Sequence, residues 1–192
     1  MRNVILLGLL LLLGGCATAP SQTMNVCSVF SEKNGWFNNW HRAAERTERE
    51  FGVPKHILMA TINTESSFEA RARPPRKKLM GIIPWKRPSS AYGYAQALDG
   101  TWDEYRRATG RYSARRSNFA DAIHFVGWYH NQSHQRNGIP RHDAYNLYLA
   151  YYAGHTGYSR GVWRQRPGMQ RAAERHTDIA NRYAQQLQSC MA

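Results

Sequence analysis

The stretch HILMATINTESSFEARARPP, residues 56–75, decides how the rest of the chain is read. Pro54 suits a first helical position, and Ile57, Leu58, Thr61 and Ile62 follow at helical spacing, which predicts a helix with a buried face. Glu65 falls at or just beyond the last turn of that helix, with Ser66 next to it. A carboxyl beside an apolar face, with Ile62 one turn back, holds its proton more tightly than one in water, because burial disfavours the charged form. Glu65 is therefore a candidate acid.

Other helices extend outward from this one. NNWHRAAERTEREFGV carries Trp40, Ala43, Ala44, Thr47 and Phe51 at spacings of three and four, and ends at Gly52. Thr101 and Glu104 form a capping-box pattern for a helix to about Thr109, residues 117–138 read as a longer helix, and Asp143 caps another that ends at Gly154. A final helix follows Pro167, with Met169, Ala173, Ile179, Tyr183 and Leu187 facing inward. No strand-like alternation or internal repeat is evident, so the class is mainly α. Residues 71–90 hold four prolines and seven basic residues, which predicts a long basic loop pinned by Ile82, Ile83 and Trp85.

The chain has 192 residues and a net charge of +13. Its start pairs Arg2 with an apolar run from Val4 to Leu13, too short to span a bilayer but suited to a secretory signal. Leu13-Gly14-Gly15-Cys16 resembles a bacterial lipobox, which implies cleavage after residue 15 and a lipid on Cys16. Ala17 follows where Asp is the usual inner-membrane retention signal, so the expected location is the periplasm, anchored to the outer membrane. Lipidating Cys16 leaves Cys27 and Cys190 as a pair in an oxidising compartment, and a disulfide between them is expected. The expected organisation is a signal at 1–15, an anchor and tether at 16–27 and one catalytic domain at 28–192. Export makes nucleic acid an improbable partner for the basic charge. Peptidoglycan and lipid headgroups are the anionic partners to hand.

Three stretches in order resemble the soluble-type lytic transglycosylases, a family with a goose-lysozyme-like helical fold. They are Glu65-Ser66, Gly93-Tyr94-Ala95-Gln96 and Ala150-Tyr151-Tyr152-Ala153-Gly154. Tyr152 stands where the family has Asn, and the basic segment before Gly93 is longer than usual. The resemblance implies a single glutamate, Glu65, acting as acid and then base on glycan strands of peptidoglycan. The MurNAc–GlcNAc β-1,4 bond would open as the C6 hydroxyl closes a 1,6-anhydro ring, with no cofactor and no metal. Ser66, Tyr94, Gln96, Tyr151 and Tyr152 are the expected substrate-binding residues, and the protein is expected to be a monomer. The alternatives are a hydrolytic lysozyme-type muramidase, which needs a second carboxylate or a well-held water, and a non-catalytic peptidoglycan-binding lipoprotein.

Competing residues have plainer readings. Glu69 is expected to pair with Arg71 or Arg73, and Asp99 and Asp103 to favour a helix start. Tyr92 is a further ring suited to a sugar face, and Tyr148 is expected in the core. His130 and His134, four residues apart, are expected as helix histidines rather than metal ligands.

Overall fold

The computed structural model describes residues 18–36, 38–76 and 87–190, together with the backbone of 78–79 and 83–84. The expected signal at 1–15, Cys16, and the side chains of Ile82, Ile83 and Trp85 lie outside the described residues. The described elements are α1 (Val26–Glu32), α2 (Trp40–Phe51), α3 (Lys55–Ser66), β1 (Lys78–Leu79), β2 (Ile83–Pro84), α4 (Asp99–Thr109), α5 (Phe119–Asn137), α6 (Ala144–Ala153), α7 (His155–Ser159) and α8 (Pro167–Cys190). A 3₁₀ turn, Val162–Gln165, precedes α8. The fold is mainly helical, as expected.

Helix α3 is the axis of the molecule. Every residue from Ile57 to Asn63 is buried, a pattern that fits a helix enclosed on all sides. It packs against α8, α2 and α5. Helix α2 presents Trp40, Ala43, Ala44 and Thr47 to the core and ends at Gly52 in a left-handed conformation, where a side chain would be strained. Gly127 lets α5 approach α2 closely, since a Cβ there would meet the Thr47 methyl at 2.4 Å.

Several expectations are modified. Helix α4 begins at Asp99, two residues before Thr101, so Thr101 and Glu104 do not form a capping box; Ser90 Oγ accepts the Asp99 N–H instead. The expected basic loop contains a short antiparallel pair, with Lys78 opposite Pro84 and Leu79 opposite Ile83. Glu69 makes no ion pair among the described residues; Arg73 lies over the Tyr92 ring at 4.1 Å. Asp99 pairs with Arg116 at 2.7 Å and Asp103 with Arg106 at 3.3 Å.

The disulfide Cys27–Cys190 is present and ties α1 to the end of α8. The stretch expected as a tether is held against the domain from Thr18 onward. Lys33 Nζ donates to Thr18 O, Ser21 donates to Glu32, Asn63 Nδ2 and the Tyr183 hydroxyl donate to Thr23 O, and Gln186 Nε2 donates to Met24 O.

Candidate active site

Glu65 stands in the last turn of α3. The next residues explain why the helix stops there: Ser67 and Phe68 both take positive φ, +50° and +64°. Such conformations cost non-glycine residues about 1–2 kcal/mol each. Full burial of Phe68, 5.7 Å from the Trp40 ring, offsets that cost and fixes the helix end.

The Glu65 carboxyl accepts a hydrogen bond of 2.8 Å from the Tyr148 hydroxyl. Burial pushes its pKa up to about 7, and the Tyr148 hydrogen bond works in the opposite direction. At neutral pH a substantial fraction of Glu65 is thus the protonated acid. Tyr148 itself is held far from ionisation by burial and by the neighbouring Glu65. Glu65 lines an open groove of about 500 Å³ with Thr23, Met24, Tyr148, Tyr152 and Arg175 among its walls. No other carboxylate lines that groove among the described residues. A second hollow of about 230 Å³, lined by Gln96, Tyr129, Tyr151 and Tyr152, shares Tyr152 with the first. Tyr152 is 53% exposed and forms a wall common to both.

The expected binding residues divide. Tyr152 and Gln96 face open space, although Gln96 Nε2 is spent on Ala72 O (3.0 Å) and Gly93 O (2.8 Å), holding its own positive φ of +47°. Tyr151 lines the second hollow, and its hydroxyl donates to Ala95 O at 2.5 Å. Two expectations are corrected. Tyr94 is core, 3% exposed and edge-on to Trp40 at 5.5 Å, because Trp40 stacked on Phe119 leaves an apolar slot that its ring fills. Ser66 Oγ lies 2.8 Å from Tyr94 O and 3.2 Å from Ile62 O, so its one proton is spent on backbone and ties the Glu65 turn to the Gly93–Gln96 turn. Tyr148 is buried as expected, but its hydroxyl belongs to the site. Tyr92 lines a separate hollow with Asp99 and Arg116.

Gly93 supports the arrangement. Its φ is +78° and a Cβ there would sit 2.2 Å from Arg116 O, so only glycine allows this turn to lie against the 111–118 segment.

One turn below Glu65 lies a sealed polar cluster. The Thr61 hydroxyl donates to Ile57 O at 3.0 Å and lies 3.0 and 3.1 Å from Nε2 of His130 and His176. A hydroxyl offers one proton and two lone pairs, so with its proton on Ile57 O both rings donate from Nε2. Burial holds His130 well below its ordinary pKa and His176 down to about 3, so both are neutral. His176 stacks on Tyr148 at 4.5 Å, placing the cluster directly behind the groove. His134 turns to a different partner, Ile139 O.

A half-buried acid at a helix end, facing an open groove, is the geometry on which the comparison with known families bears. The family model described as Transglycosylase SLT domain matches residues 4–190. The chain belongs to that family. Curated proteins give no match to it. Membership makes this SLT domain a lytic-transglycosylase-type domain that acts on peptidoglycan. The signals that reading the sequence missed are His176 and Arg175 on α8 and the groove wall at Thr23 and Met24. His176 stands three residues after the inward Ala173, which marked its face. Nothing in the sequence distinguishes Arg175 from other exposed arginines.

Proposed function

We propose that this SLT domain cleaves the MurNAc–GlcNAc β-1,4 bond by lytic transglycosylation, with Glu65 as acid and then base. Protonated Glu65 gives its proton to the glycosidic oxygen as the bond from that oxygen to the muramoyl anomeric carbon breaks. The C6 hydroxyl oxygen of the same sugar then bonds to that carbon, its proton passes to the Glu65 carboxylate, and the 1,6-anhydro ring closes. Acid and base are restored in one turnover and no water is consumed. The observation that carries this reading is Glu65 itself, raised to about 7 by burial and facing the groove without a second carboxylate among the described residues. A lysozyme using two carboxylates has less support on the same ground.

In this reading Tyr148 holds the acid in place, Tyr152 offers a ring to a sugar, and Gln96 and Tyr151 line the adjoining hollow. Arg175, exposed in the same groove, suits a carboxylate on the lactyl-linked peptide. We further propose export through a signal at 1–15, lipidation of Cys16 and anchoring to the outer membrane as a monomer. The test is mass spectrometry of products released from purified sacculi by the natural chain and by Glu65→Gln. Anhydro-muropeptides lost in the variant are the expected result. Reducing-end products would establish hydrolysis instead, and binding without products would make the protein a non-catalytic wall-binding lipoprotein.

A further inference from the structure

The turn between α1 and α2 carries an aromatic side chain that the catalytic reading does not use. It is closed by a bridge between Asn34 and Asn39, whose side chains bond to each other at 2.5 Å, and Trp36 stands at its tip, 91% exposed. An indole that projects fully into water has given up the burial that normally offsets its cost. Trp36 shares a hollow with Arg42, the first of a stripe formed by Arg42, Arg46 and Arg49 along the outer face of α2. Their spacing of four and three residues puts the three on one face.

The acids of that helix are otherwise engaged. Glu45 meets His41 and Lys55, Glu48 accepts the Lys55 N–H and Glu50 meets His124, whereas the three arginines are exposed and make no ion pair among the described residues. The face therefore combines an exposed aromatic ring with a row of arginines that make no direct ion pair among the described residues, which is the chemistry of a segment seated in the headgroup layer of an anionic membrane.

The course of the N-terminal segment points the same way. Lys33 Nζ donates to Thr18 O at 2.8 Å, so the chain leaves the described domain beside the residue that opens the Asn34–Asn39 turn. Cys16 is two residues from Thr18, a span of at most about 7 Å. We infer that the Trp36 tip and the Arg42–Arg46–Arg49 stripe form a membrane-contacting face, which an anionic phospholipid surface covers while the domain is held at the bilayer. This goes beyond the catalytic reading and uses the anchoring at Cys16 for only one of its supports.

The test uses the full chain on vesicles rich in phosphatidylglycerol and, separately, on phosphatidylcholine vesicles, both with brominated acyl chains that quench nearby indoles. Quenching in the anionic vesicles is expected to fall in Trp36→Tyr by the whole contribution of that indole. In a triple Arg42→Gln, Arg46→Gln, Arg49→Gln variant it is expected to fall to the level seen on phosphatidylcholine. Equal quenching in the natural chain and Trp36→Tyr overturns the inference. So does loss of sacculus binding, rather than of quenching, in Trp36→Tyr, which would make the face a glycan-binding one. The mass of the N-terminal peptide from the same sample reports lipidation separately, and a quenched Trp36 without a lipid still upholds the face. Both variants are expected to release products from isolated sacculi at the natural rate, so failure of the catalytic reading is read independently.

Discussion

Thr61 and Glu65 stand one helical turn apart on α3, and each is the centre of a polar cluster, one sealed and one open. Burial favours the neutral form in both, by opposite routes: it lowers the basicity of His130 and His176, which stay neutral at pH 7, and raises the pKa of Glu65, which is then partly protonated there. The sealed cluster meets inside the protein, through Ile57 O, Thr61 Oγ1 and the two Nε2 atoms, and leaves the buried Nδ1 of His130 and of His176 without a protein partner. Glu65 is held by Tyr148 and still borders the groove. Enclosure alone makes a polar group neutral; an opening onto substrate-sized space makes that neutrality usable.

The sharpest way to break this contrast is Glu65→Gln. Loss of the general acid is expected to lower turnover on sacculi by about a thousandfold. The same variant is expected to be more stable than the natural chain at pH 8, by on the order of 2 kcal/mol, and little different at pH 4. The sign follows from the raised pKa: native Glu65 binds its proton more tightly than the unfolded chain does, so stability is full below about 4.5 and falls as pH rises through about 7. Paired denaturant titrations at the two pH values check it. Activity of the natural chain should decline as pH rises through about 7, where folded Glu65 gives up its proton.

Thr61→Val tests the sealed side. It removes the oxygen that both imidazoles meet, with an expected cost on the order of 2–3 kcal/mol in urea unfolding and little change in turnover per folded molecule. A collapse of activity with stability intact would show that the two clusters are not separable. The histidines also set a slope opposite to that of Glu65. Their lowered pKa values mean that the unfolded chain takes up protons first, so stability is lost as pH falls below about 6.5.

Tyr148→Phe examines the link between the two. Turnover should fall about tenfold, and because the tyrosine hydrogen bond lowers the Glu65 pKa, its loss should move the alkaline limb of the pH–rate profile to higher pH. The smallest effect is expected for Arg175→Gln, a few-fold rise in KM for peptide-bearing glycan with kcat unchanged, read by comparing sacculi with amidase-treated strands. An equal effect on both would place Arg175 against the sugar rather than the peptide.

The open side of this contrast was the more legible in sequence. Glu65 at the end of an apolar helix, Gly52, Gly138 and Gly154 as stops and Asp143 as a cap are local signals, the Cys27–Cys190 pair follows from counting cysteines, and each is found in the structure. The sealed side was hidden because hydrophobic periodicity counts apolar residues, whereas His130 and His176 are buried by virtue of partners distant in sequence. Tyr94 and Ser66 misled for a related reason. A tyrosine or serine beside a motif reads as a ligand contact until the chain shows that Trp40 and a backbone carbonyl have claimed it. Tyr148 belonged to both readings, with its ring packed inward and its hydroxyl on the acid.

The bond between Cys27 and Cys190 also bears on timing. Thr23 and Met24, which wall the groove, are held by Tyr183 and Gln186 near the far end of the chain, and the disulfide closes the circuit a few residues later. That side of the groove is therefore complete only once the last helix has docked, and the disulfide then fastens it there. A chain whose last helix has not yet docked would carry the acid without a finished place to use it.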